Sequence, residues 1–482
     1  MYHLLNWKLI INLLSRISFI VSAALLLSGG VGLFYSENIR PFLWASIVTG
    51  SLGFLFFITT RNLHIEMIKR KEAFFLVTFS WFYVSLLGSL PFVFSGAIPS
   101  FTDAFFESVS GFTTTGSSIL TDIEVLPKSI LFWRSLTHWI GGIGIIVLFI
   151  IIMPSLHEGG YQLFTLESSF QEKIQPKIKA VGQRLAYIYI ILTALETILL
   201  LAGGMNLFES VCHAFGTIAT GGFSPKNSSI GGYSAYIQYI IMIFMLLSGT
   251  NFIIHYYIYK KAFSKIKKNE EVRFYYSVIF LIGGLITLVL FFKGEKPLEY
   301  AFRESFFQVI SIITTTGFAT SDYLLWPVFA WILIFFSLFF GGSTGSTAGG
   351  IKMARHLLVI KNLSRVFRES VHPKAVFPMT LNGNIINEPV NNSILSFITL
   401  YMVIFSMGSI ILSLTGLDWA SSASATATAM AGIGPGIGTV GPASNFAHLT
   451  DPAKLTLTML MILGRLEIFT VLILFTRNFW KE

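Results

Sequence analysis

The sequence predicts an all-α polytopic membrane protein with four pseudo-symmetric span–pore-loop–span repeats around one pore, plus two extra N-terminal spans. Three observations predict it. Charged residues make up 12% of the 482 residues and hydrophobic ones 54%, with mean hydropathy +0.71, where a soluble domain carries about a quarter charged residues. Apolar segments recur at 8–35, 42–60, 74–97, 129–153, 180–203, 232–258, 274–293, 324–348, 392–416 and 452–476. Each is long enough to cross a bilayer at about 1.5 Å per residue. Between alternate pairs sit shorter segments, 101–118, 206–224, 299–318 and 418–436, that start polar, turn apolar and end in Thr and Gly. That pattern fits a half-helix entering the membrane and an extended return. Irregular backbone is tolerated there only where protein buries it or water reaches it.

The first element, 8–35, is longer than the apolar core of a signal peptide and a second span follows at once, so it is expected to be retained. Orientation follows from charge. The net charge is +9, and 20 of the 33 Lys and Arg residues fall in four short connections, Arg61 to Lys71, Lys173 to Arg184, Lys260 to Arg273 and Lys352 to Lys374. Placed there, the basic residues argue against nucleic acid as a partner. By the positive-inside rule these connections face the cytoplasm, which puts both termini inside. They suit anionic membrane lipid or an acidic partner. Cys212 is the single cysteine, which excludes an intrachain disulfide and a cysteine-based metal site.

The repeat is visible residue by residue. Phe105 to Gly116 aligns without a gap to Phe306 to Gly317, with seven of twelve positions identical. The second copy ends Ile218-Ala219-Thr220-Gly221-Gly222 and the fourth Ala431-Gly432-Ile433-Gly434. Aligning Gly116, Gly221, Gly317 and Gly434 gives spacings of 105, 96 and 117 residues, a period near one hundred. The expected division is 1–73 for the two extra spans, then 74–179, 180–273, 274–391 and 392–482 for the repeats.

A dehydrated cation needs oxygen ligands, and rings of backbone carbonyls supply them in potassium filters. Aiming successive carbonyls at one axis demands backbone angles that glycine permits. Threonine adds a hydroxyl ligand or a brace. The candidate ion-binding residues are Thr113, Thr114, Thr115 and Gly116; Ile218, Ala219, Thr220 and Gly221; Thr314, Thr315, Thr316 and Gly317; and Ala431, Gly432, Ile433 and Gly434. No acidic residue stands at these loop ends, which argues against a divalent cation. One Thr-Gly run alone is an ordinary turn; four at matched places between spans weigh against that reading.

These loop ends, the stretch Gly341 to Lys352 and the segment Leu463 to Phe469 together resemble the TrkH/KtrB superfamily of potassium-transporting membrane subunits, TrkH branch. The resemblance runs essentially end to end, and the two extra N-terminal spans are similar to the Trk type. It implies a pseudo-fourfold pore in one bacterial inner-membrane subunit, K+ as the ion, and a carbonyl filter with one glycine per repeat. It also implies a homodimer on a cytoplasmic TrkA-like ring of nucleotide-binding regulatory subunits. In that superfamily serine at the first-repeat glycine goes with sodium permeation, so Gly116 favours potassium. The second and fourth loops depart from the Thr-Thr-Thr-Gly pattern, which implies an asymmetric filter.

Two gating elements are expected. The residues Gly341, Gly342, Ser343, Thr344, Gly345, Ser346, Thr347, Ala348, Gly349 and Gly350 hold five glycines and four Ser or Thr residues and cannot form a lipid-facing helix. The resemblance implies a movable plug below the filter; a loop closing a helix end is the plain alternative. The phosphate-loop pattern GxxxxGK[ST] is absent. Arg465 falls mid-span, where a charge is expensive and faces protein or water; the resemblance points it into the pore. A local pair with Glu467 is disfavoured, since residues two apart on a helix do not face each other. In the fourth span Gly141, Gly142 and Gly144 suit close helix packing, and His138 reads as a hydrogen-bonded structural residue ahead of a proton site.

No HExxH, no nucleophile–base set and no metal cluster supports an enzyme, and no organic cofactor is expected in this chain. The leading function is a gated potassium uptake pore driven by the membrane potential. The alternative is a secondary transporter coupled to H+ or Na+, which needs a membrane-buried carboxylate. Glu107, Glu209 and Glu304, near the pore-loop starts, are weak candidates for it.

Overall fold

In the computed structural model residues 5–61, 68–152 and 174–481 are described, without the side chains of 145–152 and 174–181. The basic connections at 61–71 and 173–184 fall partly outside the described residues. The chain is built almost wholly from helices. α1 (Trp7–Phe34) and α2 (Arg40–Thr60) form an antiparallel hairpin. Small residues let them close up: Ser22 and Ser46 share a hydroxyl–hydroxyl bond of 2.8 Å, and a Cβ at Gly53 would stand 2.9 Å from that of Ser18.

Four stretches follow in which long helices flank a short one. α3 (Arg70–Ser95) leads to the short α4 (Phe101–Phe112) and the long α5 (Lys128–Ile152). α6 (Ile174–Ala202) leads to the short α7 (Leu207–Ile218), then α8 (Ala235–Gly249), α9 (Phe252–Tyr259) and α10 (Phe263–Lys267). α11 (Glu270–Phe292) leads to α12 (Leu298–Ile313), α13 (Val328–Ser337) and α14 (Met353–Val371). A two-residue hairpin, β1 (Thr380–Leu381) and β2 (Asn384–Ile385), precedes the last stretch. α15 (Glu388–Leu414) then leads to α16 (Trp419–Ala431), α17 (Asp451–Arg465) and α18 (Phe469–Leu472).

Three of the four short helices begin where a side chain satisfies an orphan backbone N–H, while α12 begins after Pro297 without one. Ser100 accepts from Asp103, Asn206 from Glu209 and Asp418 from Ser421. Past their exposed first turns they are packed within the protein: Phe106, Val109, Phe307, Val309, Ala425 and Ala427 are buried. The long helices turn apolar side chains outward instead, as Phe280, Leu281 and Phe292 of α11 do, where lipid is the natural solvent.

By length and composition six described helices are fit to cross a membrane, or eight if each bent pair is one span. Two expected straight spans are corrected. The 232–258 segment breaks between α8 and α9 with a 101° bend. A Cβ at Gly249 there would stand 2.7 Å from the Thr314 side chain, and the Asn251 side chain starts a new helix by accepting from Ile253 N (2.8 Å). The 452–476 segment bends by 106° at Glu467 and Ile468, both with positive φ. The 324–348 segment holds the end of a short 3-10 turn (Tyr323–Leu325) and α13, then gives way to the glycine-rich loop, the interruption expected there. Apolar composition reports solubility in lipid and carries no information on such breaks.

Candidate functional site

The four short helices end at a common place, and their ends follow one backbone pattern. The N–H groups of Thr115, Gly221, Thr316 and Ile433 each donate to the carbonyl five residues back (2.8–2.9 Å). The residue before each is left-handed: Thr114 (φ 54°), Thr220 (55°), Thr315 (57°) and Gly432 (72°). The residue after is Gly116 (82°), Gly222 (81°) and Gly317 (81°), or Gly434, which lies outside the left-handed region. A β-branched residue at positive φ costs of order 1–3 kcal/mol and persists only when its surroundings enforce it.

This backbone corrects the sequence alignment by one residue. Ile218, Ala219, Thr220 and Gly221 were set opposite Thr113 to Gly116; the structural set is Ala219, Thr220, Gly221 and Gly222. The tandem glycines 221 and 222 make both registers equal by identity, and only the hydrogen bond from Gly221 N separates them. Gly222 is partly exposed like Gly116 and Gly317, whereas Gly221 is buried. Thr220 therefore matches Thr114 and Thr315, and the second loop departs from the pattern at Ala219 and Gly221.

The loop ends meet in cyclic order. A Cβ on Gly116 would collide with the carbonyl oxygen of Gly221, one on Gly222 with that of Thr316, one on Gly317 would sit 2.8 Å from Gly434 N, and one on Gly434 2.9 Å from Gly116 O. The outer segments are stitched in the same order. Asn227 donates to Asp122 (2.8 Å), Ile230 N to Ala319 O (3.0 Å), Tyr323 Oη to Gly436 O (2.5 Å), and Phe446 N to Ser118 O (2.9 Å). The ring opens outward on a cavity of about 220 Å³ lined by Gly116, Gly222, Gly317 and Gly434. At its rim Lys226 bonds Glu124 (3.2 Å), which raises the lysine above its ordinary range.

The threonine hydroxyls are braces. Thr113 and Thr115 bond each other (2.8 Å), as do Thr314 and Thr316 (2.9 Å). Glu107 pairs with Arg134 (2.8 Å) and accepts from Ser118 and Ile119 N. Both charges are at most 2% exposed. Glu107→Gln would leave Arg134 buried and unpaired, and is expected to cost about 3–5 kcal/mol, read as a fall in the thermal midpoint in detergent; an unmoved midpoint would deny the pair this role.

Beneath the ring runs the glycine-rich loop. It opens and closes on itself through Gly341 N to Ile351 O (2.8 Å). Thr347 Oγ1 donates to Ile218 O at the end of α7 (3.0 Å), Gly349 N to Thr315 Oγ1 (2.7 Å), and Gly349 lies against the Ala431 carbonyl. Arg465 donates to Thr347 O (2.9 Å) and Gly141 O (3.2 Å), and Gly141 packs on the Phe112 carbonyl at the end of α4. Arg465 is the last residue of α17, at the bend, so the continuous helix expected around it is corrected. Glu467 pairs with Arg355 instead (2.5 Å).

Two residues escaped the sequence reading. One oxygen of Glu271, at the start of α11, accepts from Thr344 N (2.6 Å), Thr344 Oγ1 (3.1 Å) and Ala354 N (3.0 Å), tying the glycine-rich loop to the start of α14. Glu196 of α6 is fully buried without an ion-pair partner among the described residues. Only the long-range fold brings either to its place, although a carboxylate within an apolar run flags Glu196.

A family model described as TrkH, cation transport protein, matches residues 36–482. The chain belongs to the TrkH family of cation transport proteins. It is 35% identical to the Trk system potassium uptake protein TrkH of Escherichia coli K12, over 99% of this chain and 100% of that one. It is 32% identical to TrkG of the same organism over 94% of each chain. The crystal structure of the potassium transporter TrkH from Vibrio parahaemolyticus superposes with a TM-score of 0.91 at 33% identity, covering 99% of this chain and 100% of that one. As a TrkH-family member with several apolar helices, the chain is a multi-pass membrane protein.

Proposed function

We propose that the chain is the ion-conducting, gated subunit of a Trk-type potassium uptake system in the bacterial inner membrane. The observation that carries this is the cyclic contact of the four loop ends, Gly116 to Gly221, Gly222 to Thr316, Gly317 to Gly434 and back to Gly116. In this reading the four stretches are pseudo-symmetric repeats about one pore. K+ is the substrate, met by the backbone carbonyls of Thr113–Gly116, Ala219–Gly222, Thr314–Gly317 and Ala431–Gly434. The C-terminal ends of four helices converge there, and their partial negative charge favours a cation. The threonine braces fix the carbonyls and leave ligation to the backbone.

Arg465 and the loop from Gly341 to Gly350 form the gate, a positive charge and a strand of backbone across the path. One carboxylate oxygen of Glu271 holds Thr344 within the loop and Ala354 just beyond it. Hydrogen bonds to a charged group are worth about 1.5–3 kcal/mol. Glu271→Ala is therefore expected to raise basal flux several-fold in the chain alone; flux equal to wild type would remove Glu271 from the gate. The relatives' Trk system names support a partner subunit. Docked as a TrkA-like nucleotide-binding ring on the basic connections 260–273 and 352–374, under a homodimer, it would supply regulation, and membrane lipid would cover the outer faces.

The function is tested by growth of cells lacking their own potassium uptake, at low external potassium, with this chain and its partner supplied. Growth restored by wild type supports the proposal; failure of well-expressed protein to restore it contradicts it. Glu196 gives the coupled alternative its one handle. Potassium uptake that follows voltage alone, unchanged in Glu196→Gln, supports the pore; uptake that needs a second ion gradient and is lost in that variant supports coupling.

A further inference from the structure

The second loop departs from its neighbours at Gly221. The same register holds Thr115 in the first loop and Thr316 in the third, each braced to a second threonine. In the second loop Ala219 and Gly221 offer no hydroxyl to pair. The space is filled from outside the loop. A Cβ at Gly221 would stand 2.5 Å from Cγ and 2.7 Å from Cε1 of His138, far inside contact distance, and His138 of α5 is fully buried. One turn earlier on the same face of α5 is Arg134. Phe223 lies between them, its ring 4.1 Å from that of His138 and 4.1 Å from the Arg134 guanidinium. Arg134 also donates to Ser224 O (3.3 Å) and is itself fixed by Glu107. The helix that leaves the first loop thus grips residues 221–224 of the second.

We infer that His138 is a positioning residue for ion selection. Its ring replaces the missing threonine brace and sets how far the carbonyls of the second loop stand from the axis. The role is steric, so Gly221 is needed to make room for the ring, and the ring is needed to back Gly221. This rests on the filter reading above.

The test is the ratio of potassium to sodium flux in liposomes holding the purified full-length chain. His138→Ala lets the loop relax outward and lowers the ratio about tenfold while potassium flux persists, a change of about 1.4 kcal/mol in the discrimination between the two ions. Gly221→Ala pushes against the ring and lowers it similarly. The double variant, in which the methyl enters the vacated space, recovers part of the ratio above either single variant. His138→Leu, near in volume, keeps the wild-type ratio; a lost ratio there overturns the steric role. If His138→Ala does not fold, Gly221→Ala and His138→Leu carry the test. Gly116→Ser is the reference. A wild-type ratio in the His138 and Gly221 variants beside a lost ratio in Gly116→Ser overturns the role of His138 alone. An unchanged ratio in Gly116→Ser removes the filter reading, and this inference with it.

Discussion

Deleting Ser343 to Ala348 raises cation flux through the chain alone by about tenfold or more. The deletion is geometrically mild, because the flanks already touch: Gly341 N bonds Ile351 O (2.8 Å) and a Cβ on Gly341 would collide with the Gly349 carbonyl oxygen. It removes the bonds from Thr347 to Ile218 O, from Arg465 to Thr347 O and from Thr344 to Glu271. Each contributes about 0.5–1.5 kcal/mol, more where a charge takes part. Their sum exceeds the 1.4 kcal/mol that corresponds to tenfold in an equilibrium. Arg465→Ala acts in the same direction by removing a fixed positive charge beneath the ring. Flux is measured by cation-driven fluorescence change in liposomes, normalised to folded protein. An unchanged flux in the deletion would make the loop a helix closure, and lower yield with unchanged flux in Arg465→Ala would make that residue structural.

Gly222→Ser abolishes the preference for potassium over sodium. Gly222 has a φ of 81°, strained for any side chain, and a Cβ would collide with the Thr316 carbonyl. The added group must displace a carbonyl on the third loop, so two of four sides of the ring move together. A ratio near unity is expected, against a wild-type ratio well above it. Because Gly222 rather than Gly221 is the equivalent of Gly116, a Gly222→Ser that keeps full preference would restore the register read from the sequence.

Much of this was legible in the sequence because it is carried by local composition. The helical, apolar character, the short segments ending in Thr and Gly, and the Gly341 to Gly350 interruption follow from hydropathy and from residues that tolerate unusual backbone, whereas ten spans were expected and six described helices, or eight with the bent pairs, are fit to cross. The register of the second loop was not, because Gly221 and Gly222 are equivalent as letters and differ only in what approaches them. The bends at Thr250 and Glu467 were hidden for a related reason: Phe252 N bonds Gly345 O and Glu467 pairs with Arg355, both partners distant in sequence. Glu271 looked like one member of a basic connection; its clamp on Thr344 and Ala354 depends on residues more than seventy positions away. His138 reads as structural from sequence, and only its approach to Gly221 assigns it a place beside the ring.

The measurement that bears most directly on the ring as an ion filter is potassium against sodium flux in liposomes holding this subunit alone, wild type beside Gly116→Ser. Gly116 combines a left-handed φ of 82° with close approach to the Gly221 carbonyl, so the account predicts potassium-preferring flux that loses its preference in the variant. Equal flux of the two ions in both proteins would contradict it and reduce the ring to a scaffold.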